Sequence, residues 1–192
     1  SDGEWDGSAS LDSVGAHVWR EFMAALTGGA DRGGDFWRVA FSTSDPVNTP
    51  RDLDTSAQAV MDAFDAGIAA VKASGFAFDA TLGEIQHPCC ILRDIPVFGG
   101  QFFEGAFTIA DSPNLRATGY DISYGNSYIQ TVTWGAQGVH AEAFVTYSQS
   151  TDPANPHFAD FTRAYSAKQW QHLPFTSAEI AAQKISERRL AE

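Results

Sequence analysis

The chain of 192 residues is 44% hydrophobic and 12% aromatic, enough apolar material for a packed core, which excludes bulk disorder as a description of it. Twelve Lys and Arg against 24 Asp and Glu leave a formal charge of −12, and a surface that negative repels phosphate backbones and anionic headgroups, so neither nucleic acid nor a membrane is an expected partner. No apolar run approaches the roughly 20 residues that span a bilayer, and an opening at Ser1 without Met, charged leader or apolar signal core is expected of a processed or trimmed chain.

Leu11, Val14, Val18, Phe22 and Ala25 fall on one helical stripe, which predicts a first helix over 11–26, ended by Gly28-Gly29. "FWRVAF" (Phe36 to Phe41) predicts a short strand, followed by the Pro-bounded loop "STSDPVNTPRD". "TSAQ" at Thr55 to Gln58 has capping-box spacing, and Val60, Met61, Phe64, Ile68 and Val71 then repeat at threes and fours up to Gly75, predicting a second helix. After Gly83 the segments "EIQ", "CCILRDIPV", "FFEGAFTIA", "YDISYG", "SYIQTVTW" and "VHAEAFVTYS" are short and rich in β-branched and aromatic residues, so this half reads as sheet. The last two form a hairpin through Gly135-Ala136-Gln137-Gly138, with Val139, Ala141, Ala143, Val145 and Tyr147 on one face and His140, Glu142, Phe144 and Thr146 on the other. Of the aromatics, Phe102, Phe103, Phe107 and Trp134 are expected mostly in the core. A second capping box, "TSAE" at Thr176 to Glu179 after Pro174, opens a C-terminal helix ending in the polar "SERRL". No internal repeat or linker divides residues 1–192, which read as one segment. The fold class is α+β, with helices in the first third, antiparallel strands after about residue 83 and a C-terminal helix.

Three stretches carry residue types suited to chemistry. Asp2, Glu4, Asp6 and Gly7 have the early spacing of a calcium loop, but Ser13 stands where the closing bidentate acid belongs, so a solvated acidic approach to a helix is the better reading. The Gly-rich "VFGGQFFEG" (Val97 to Gly105) offers backbone N–H groups to an anion, yet no Lys-Ser/Thr follows, and a turn between strands is expected. In "SQSTDPANPHFAD", Ser148, Ser150, Thr151, Asp152, His157 and Asp160 supply the types of a nucleophile, base and orienting acid. Asp152-Pro153 and Asn155-Pro156 are turn signals, however, and short polar side chains in turns bond nearby backbone, which favours a structural role. The remaining histidines, His17, His87, His140 and His172, have no metal-ligand spacing. Adjacent Cys89 and Cys90 read as buried small hydrophobes, with a redox-active vicinal pair as the alternative.

The run "SQSTDPANPHFAD", then "KQW" and "LPFTSAEI", resembles the C-terminal signature of the penicillin-acylase family. The matching positions are Gln149, Ser150, Asp152, Pro153, Pro156, His157, Asp160, Trp170, Leu173, Pro174, Phe175 and Glu179. Upstream, "GNSYIQTVTW" (Gly125 to Trp134) and "WDGSASLDSVGAHVW" (Trp5 to Trp19) are similar to two further motifs of the family, so the resemblance runs over almost the whole chain. Tyr147 where many members have Gly, Phe158 for Tyr, Asn155 for Ser, and "STDP" for "SGNP" bring it nearest the branch of acyl-homoserine-lactone and aculeacin-type lipopeptide acylases.

The resemblance implies an N-terminal-nucleophile hydrolase of αββα sandwich fold, in which the amino-terminal Ser of the β chain attacks an amide. Motif order places this chain at the C-terminal end of that β chain, downstream of the nucleophile and of the oxyanion Asn. Ser1 is not expected to be the nucleophile, because Asp2 leads into the Trp-Asp-Gly motif where the family has Asn and a strand. The implied enzyme hydrolyses N-acyl amides, acyl-homoserine lactones or lipopeptides, in the periplasm or outside the cell. Its partners are the small-molecule substrate and the remainder of the same enzyme, the α chain and the N-terminal part of the β chain. No catalytic, cofactor-binding or metal residue and no cofactor is assigned to this segment. His157 is expected to be at least partly buried and bonded to backbone or to Asp152 or Asp160, fastening the C-terminal turn to the enzyme's body. The rival reading is a free-standing, non-catalytic binding or scaffold module.

Overall fold

The structure, a computed structural model, describes residues 10–28, 37–88, 92–101, 104, 108–112, 114–136, 138–148 and 150–188. Ser1, the acidic run from Asp2 to Gly7, Cys89, Cys90, Phe102, Phe103, Phe107 and Gln149 lie outside them. The chain divides into two compact units, 1–125 and 126–192, each described by itself.

In the first unit the apolar stripe forms helix α1, Ala16–Thr27, closed by Gly28 in the left-handed region with its N–H on the Ala24 carbonyl. The helix starts later than the stripe predicts, because Gly15 at φ 83° breaks the run and the residues before it bond elsewhere. Ser13 and Leu11 carbonyls accept the N–H groups of Leu82 (2.8 Å) and Gly83 (2.8 Å), which are the exposed donors of helix α3, Leu82–Ile85. A Cβ at Gly83 would lie 2.9 Å from the Leu11 carbonyl oxygen, so this contact requires glycine.

Strands β1 (Trp37–Val39) and β2 (Arg51–Leu53) pair antiparallel, the second arising from what reads as loop. Helix α2, Ala57–Ser74, is capped one residue later than the capping-box spacing suggests. Ser56, not Thr55, accepts the Ala59 N–H at 3.1 Å, and Gln58 bonds Asp62. Helices α1 and α2 pack closely: a Cβ at Gly67 would lie 2.7 Å from the Phe22 amide nitrogen.

"EIQ" is not a strand throughout. Thr81 donates its N–H to Glu84 at 2.7 Å and its hydroxyl at 2.9 Å, holding the Glu84 carboxyl below its usual range and winding α3. Only then does β3 (Gln86–Pro88) begin. Like the isolated bridge of Gly100 with Ile109, its pairing with β5 (Tyr120–Ile122) is parallel, against the antiparallel expectation. Gly119 at φ 88° permits it, since a Cβ there would lie 2.3 Å from the Ile85 carbonyl oxygen. The antiparallel pattern holds for β4 (Ala110–Asp111) with β6 (Tyr124–Gly125). The described part of "CCILRDIPV" forms a turn and extended chain outside any named strand.

Beneath these elements Ala16, Ala80, Leu82, Ile85 and Tyr120 form a buried cluster, and beside it lies a charge. Arg20 is 1% exposed. Its guanidinium bonds Glu104 through Nε and through Nη2 at 2.9 Å, the Gln86 Oε1 at 2.6 Å and the Gly99 carbonyl at 3.2 Å. It lies over the Tyr120 ring, 5.0 Å from the centroid, and the Tyr120 hydroxyl donates to Glu21 at 2.7 Å. Burial, and then the Glu21 charge, push the Tyr120 phenol well above its ordinary value.

The second unit holds a three-stranded sheet in the order β7 (Tyr128–Gly135), β8 (Gly138–Val145), β9 (Gln171–His172). The hairpin turns where expected, with Gly135 opposite Gly138 at φ 101°. Trp134 contradicts the core expectation: it is 77% exposed, because it sits next to the hairpin turn on the outermost strand. Helix α4, Asp160–Ser166, and strand β9 have no counterpart among the predicted elements. They close over one face of β8, where Phe144 meets Tyr165 edge-on at 5.0 Å and Trp170 at 4.0 Å. Helix α5, Ser177–Gln183, opens with the expected capping box at Thr176 and Glu179 but ends before "SERRL". No described helix is long and apolar enough to cross a membrane.

Two predictions concern the first unit. Removing one partner of a buried pair leaves the other charged and unsatisfied, so Glu104→Ala should cost about 3–5 kcal/mol in urea unfolding, and Arg20→Met with Glu104→Leu should recover most of it. A Glu104→Ala loss well under 1 kcal/mol would show that the pair does not organise the unit. His17 is 0% exposed; one ring nitrogen meets the Ala77 carbonyl at 2.9 Å and Nδ1 has no partner. Burial lowers its pKa below 6.5; the Ala77 carbonyl opposes this, Arg20 adds to it and Asp79 opposes it. With the folded value below the unfolded one, the contribution of neutral His17 is complete above about pH 6.5 and is lost as pH falls from there toward the folded value. The urea midpoint should therefore drop between pH 7.5 and 5.5 in the wild type and by less in His17→Gln.

Candidate functional site

Beyond β8 the chain enters the stretch whose residue types suggest chemistry. Ser148, Ser150, Asn155, His157, Asp160 and Phe161 line an open groove of about 640 Å³. Its walls are two consecutive turns, with the Asn155 N–H on the Asp152 carbonyl and the Phe158 N–H on the Asn155 carbonyl, both at 3.0 Å. The Asp152 carboxylate accepts the Ala154 N–H at 2.9 Å and the Asn155 amide oxygen accepts the His157 N–H at 2.8 Å. Both are the local turn bonds that Asx-Pro spacing favours.

The two serine hydroxyls are engaged with backbone. Ser150 accepts the Asp152 N–H at 3.1 Å. Ser148 accepts the Phe161 N–H at 3.1 Å, which caps α4 from a distance, since its own N-cap, Ala159, has no side-chain acceptor. His157 Nδ1 lies 2.7 Å from the Asp160 carboxylate. An oriented imidazole is thus present, but among the described residues neither serine bonds it. A nucleophile, base and acid in sequence are in space two serines on backbone and one His–Asp pair.

His157 is also not buried: its side chain is 80% exposed and that of Asp160 56%. The expected bond to Asp160 is present, whereas the burial is corrected: in this chain the ring stands on two short turns whose bonds are local, and among the described residues nothing packs over it. Asp152, the other acid expected near His157, serves its own turn instead.

The structure brings together one set that spacing does not reveal. His140 on β8 and His172 on β9 stack with centroids 5.4 Å apart. His140 lies 3.4 Å from Glu142 and His172 3.6 Å from Glu179. The signal was a strand of two residues, too short to leave a periodicity. Glu179 itself is held at about 2, chiefly by the Thr176 and Phe175 N–H groups and the Thr176 hydroxyl, with His172 a minor contributor. No group of three or more His, Cys, Asp or Glu among the described residues is arranged to hold a metal. In the described part of the Gly-rich stretch, Gly99 offers its carbonyl to Arg20, and the Gln101 N–H is taken up by the chain's own Glu104 carboxylate at 2.8 Å.

Comparisons with known proteins bear on this geometry. A family profile described as penicillin amidase matches residues 3–182. The acyl-homoserine lactone acylase PvdQ of Pseudomonas syringae pv. syringae is 34% identical over 184 residues, covering 93% of this chain and 23% of the relative. PvdQ of Pseudomonas putida is 35% identical over 184 residues, with coverage of 93% and 23%. Aculeacin-A acylase of Actinoplanes utahensis is 33% identical over 184 residues, with coverage of 93% and 22%. The chain thus spans less than a quarter of the length of these curated relatives.

If the stretch is built for structure, its variants rank by backbone bonding. Ser148→Ala should destabilise the second unit by about 1 kcal/mol, the usual loss of a helix cap. His157→Ala, removing an exposed pair, should stay within about 0.5 kcal/mol. Thermal melts of the two variants check the order, and the reverse order would show that the exposed His157–Asp160 pair, and not the Ser148 cap, holds the stretch.

Proposed function

This chain belongs to the penicillin amidase family, a family of N-terminal-nucleophile hydrolases, and from that premise we propose that it is the C-terminal segment of an acylase cleaving the amide of N-acyl compounds. The favoured substrates are acyl-homoserine lactones or lipopeptides. The observation that carries this reading is similarity at 33–35% identity along 93% of the chain to proteins named for those two activities.

In this reading the segment supplies framework and the attacking Ser lies upstream, in the part of the enzyme to which the rest of the relatives' length corresponds. The engagement of Ser148 and Ser150 with backbone supports it. So does the isolation of His157 from either hydroxyl, since a base must reach the proton it removes. The partners are the remainder of the same enzyme and the N-acyl substrate, and the periplasmic or secreted location belongs to the same proposal.

Without an activated nucleophile and its oxyanion donors, covalent amide hydrolysis loses both of its main sources of rate. The 192-residue chain alone should therefore not turn over fluorogenic acyl amides. The enzyme made from the whole reading frame should release free fatty acid and leave the homoserine lactone ring closed. Its selectivity should follow acyl length, at about 0.8 kcal/mol per buried methylene. Mass spectrometry of the products decides this. An opened ring with the amide intact would mean lactonase chemistry, and turnover by the short chain that Ser1→Ala abolishes would make Ser1 the nucleophile.

A further inference from the structure

Three side chains far apart in the spacing of the sequence share one face of the second unit's sheet. His140 and Glu142 alternate along β8 and so point the same way, and the register sets His172 of β9 directly opposite Glu142. The two imidazoles stack with centroids 5.4 Å apart and planes at 25°. Both reach solvent, the His140 side chain being 59% exposed and that of His172 35%. The His140 Nε2 lies 3.4 Å from the Glu142 carboxylate. That is long for a charge-assisted hydrogen bond, at about 2.7–2.9 Å. It equals the separation of two ligands on one tetrahedral zinc, roughly 3.3–3.5 Å for metal–ligand distances of about 2.0–2.2 Å. Glu179, 3.6 Å from His172, is committed elsewhere: one of its oxygens takes the Phe175 and Thr176 N–H groups and the Thr176 hydroxyl.

We propose that His140, His172 and Glu142 form a binding site for a divalent transition-metal ion of the zinc class, with water completing its coordination. The site stands on this sheet alone and does not depend on the acylase reading. Two imidazoles with a carboxylate are the donors of borderline ions, whereas magnesium and calcium take oxygen. As the side chains lie, no three of the described His, Cys, Asp or Glu surround one point. Closing the set therefore takes a turn of the exposed His140 ring between its staggered positions, which nothing buried opposes. A formal charge of −12 raises the concentration of cations near the surface. Bound metal would cross-link β9, joined to β8 by two residue pairs only, to the strand it borders.

The test is zinc chloride titrated into the 192-residue chain in about 0.15 M salt, where bulk charge is screened. Cys89→Ser and Cys90→Ser are introduced first, so that thiolates do not compete for the ion. One ion should bind per chain, and the melting temperature should rise by about 4 °C or more at about a hundredfold excess over Kd. His140→Gln, His172→Gln and Glu142→Gln should each weaken binding about tenfold or more, and His157→Gln should leave it unchanged. With no further substitution, zinc should shift the ring nitrogen resonances of His140 and His172 and leave those of His157 in place, a readout that no folding defect can imitate. Binding that survives His140→Gln and His172→Gln together would overturn the inference. So would displacement by an equal concentration of magnesium, the mark of a diffuse counter-ion. Zinc that shifts His157 and neither His140 nor His172 would place the ion in the groove and overturn it as well.

Discussion

A guanidinium taken out of water must find oxygen for its N–H groups, and in the first unit that requirement falls on Arg20. The acceptors come from three separate places: Glu104 and Gly99 from the Gly-rich loop, Gln86 from the start of β3, and the Tyr120 ring from β5. Gln86 is itself held by the Val97 and Gly99 carbonyls at 2.7 and 3.0 Å. One side chain on α1 thereby sets the position of the loop, and the same bonds fix the β3 strand on which the parallel pairing depends. Apolar contacts fill the space around it but do not specify which element lies where; the fork of the guanidinium does.

The second unit is organised by backbone satisfaction. In its polar stretch from Ser148 to Asp160, the side chains of Ser148, Ser150, Asp152 and Asn155 each accept a backbone N–H, and Ser148 accepts that of the first turn of α4. Residues that make a tight double turn and residues that make a catalytic set are drawn from the same few types. Geometry separates them, through the partner each oxygen has taken. Similarity to the acylases in this stretch is therefore not by itself a sign of catalytic residues.

Much of the framework was legible because its signals are local. The α2 repeat to Gly75, the hairpin through Gly135 and Gly138, and the Thr176–Glu179 capping box each lie within a few residues of their cause. What was not legible depends on distant chain. The α1 start was displaced because Leu11 and Ser13 serve α3, β2 exists only by pairing with β1, and β9 only by pairing with β8. The exposure of His157 and Trp134 was misread for a related reason: an aromatic or imidazole among turn and strand residues carries no mark of which side the rest of the fold will cover. Arg20 left no trace either, since one cation beside an apolar stripe reads equally well as a solvated flank.

The span of the Arg20–Glu104 contact, 84 positions along the chain, sets an order of events during synthesis. At ribosomal rates of about 5–20 residues per second, α1 emerges roughly 4–17 s before its counter-ion does. Through that interval the helix pair can form, but the face carrying Arg20 has no carboxylate to close on, and burying it would be unfavourable. The first unit therefore has a built-in waiting period in which α1 and α2 present an unfinished surface, and its core closes only when the Gly-rich loop has left the ribosome.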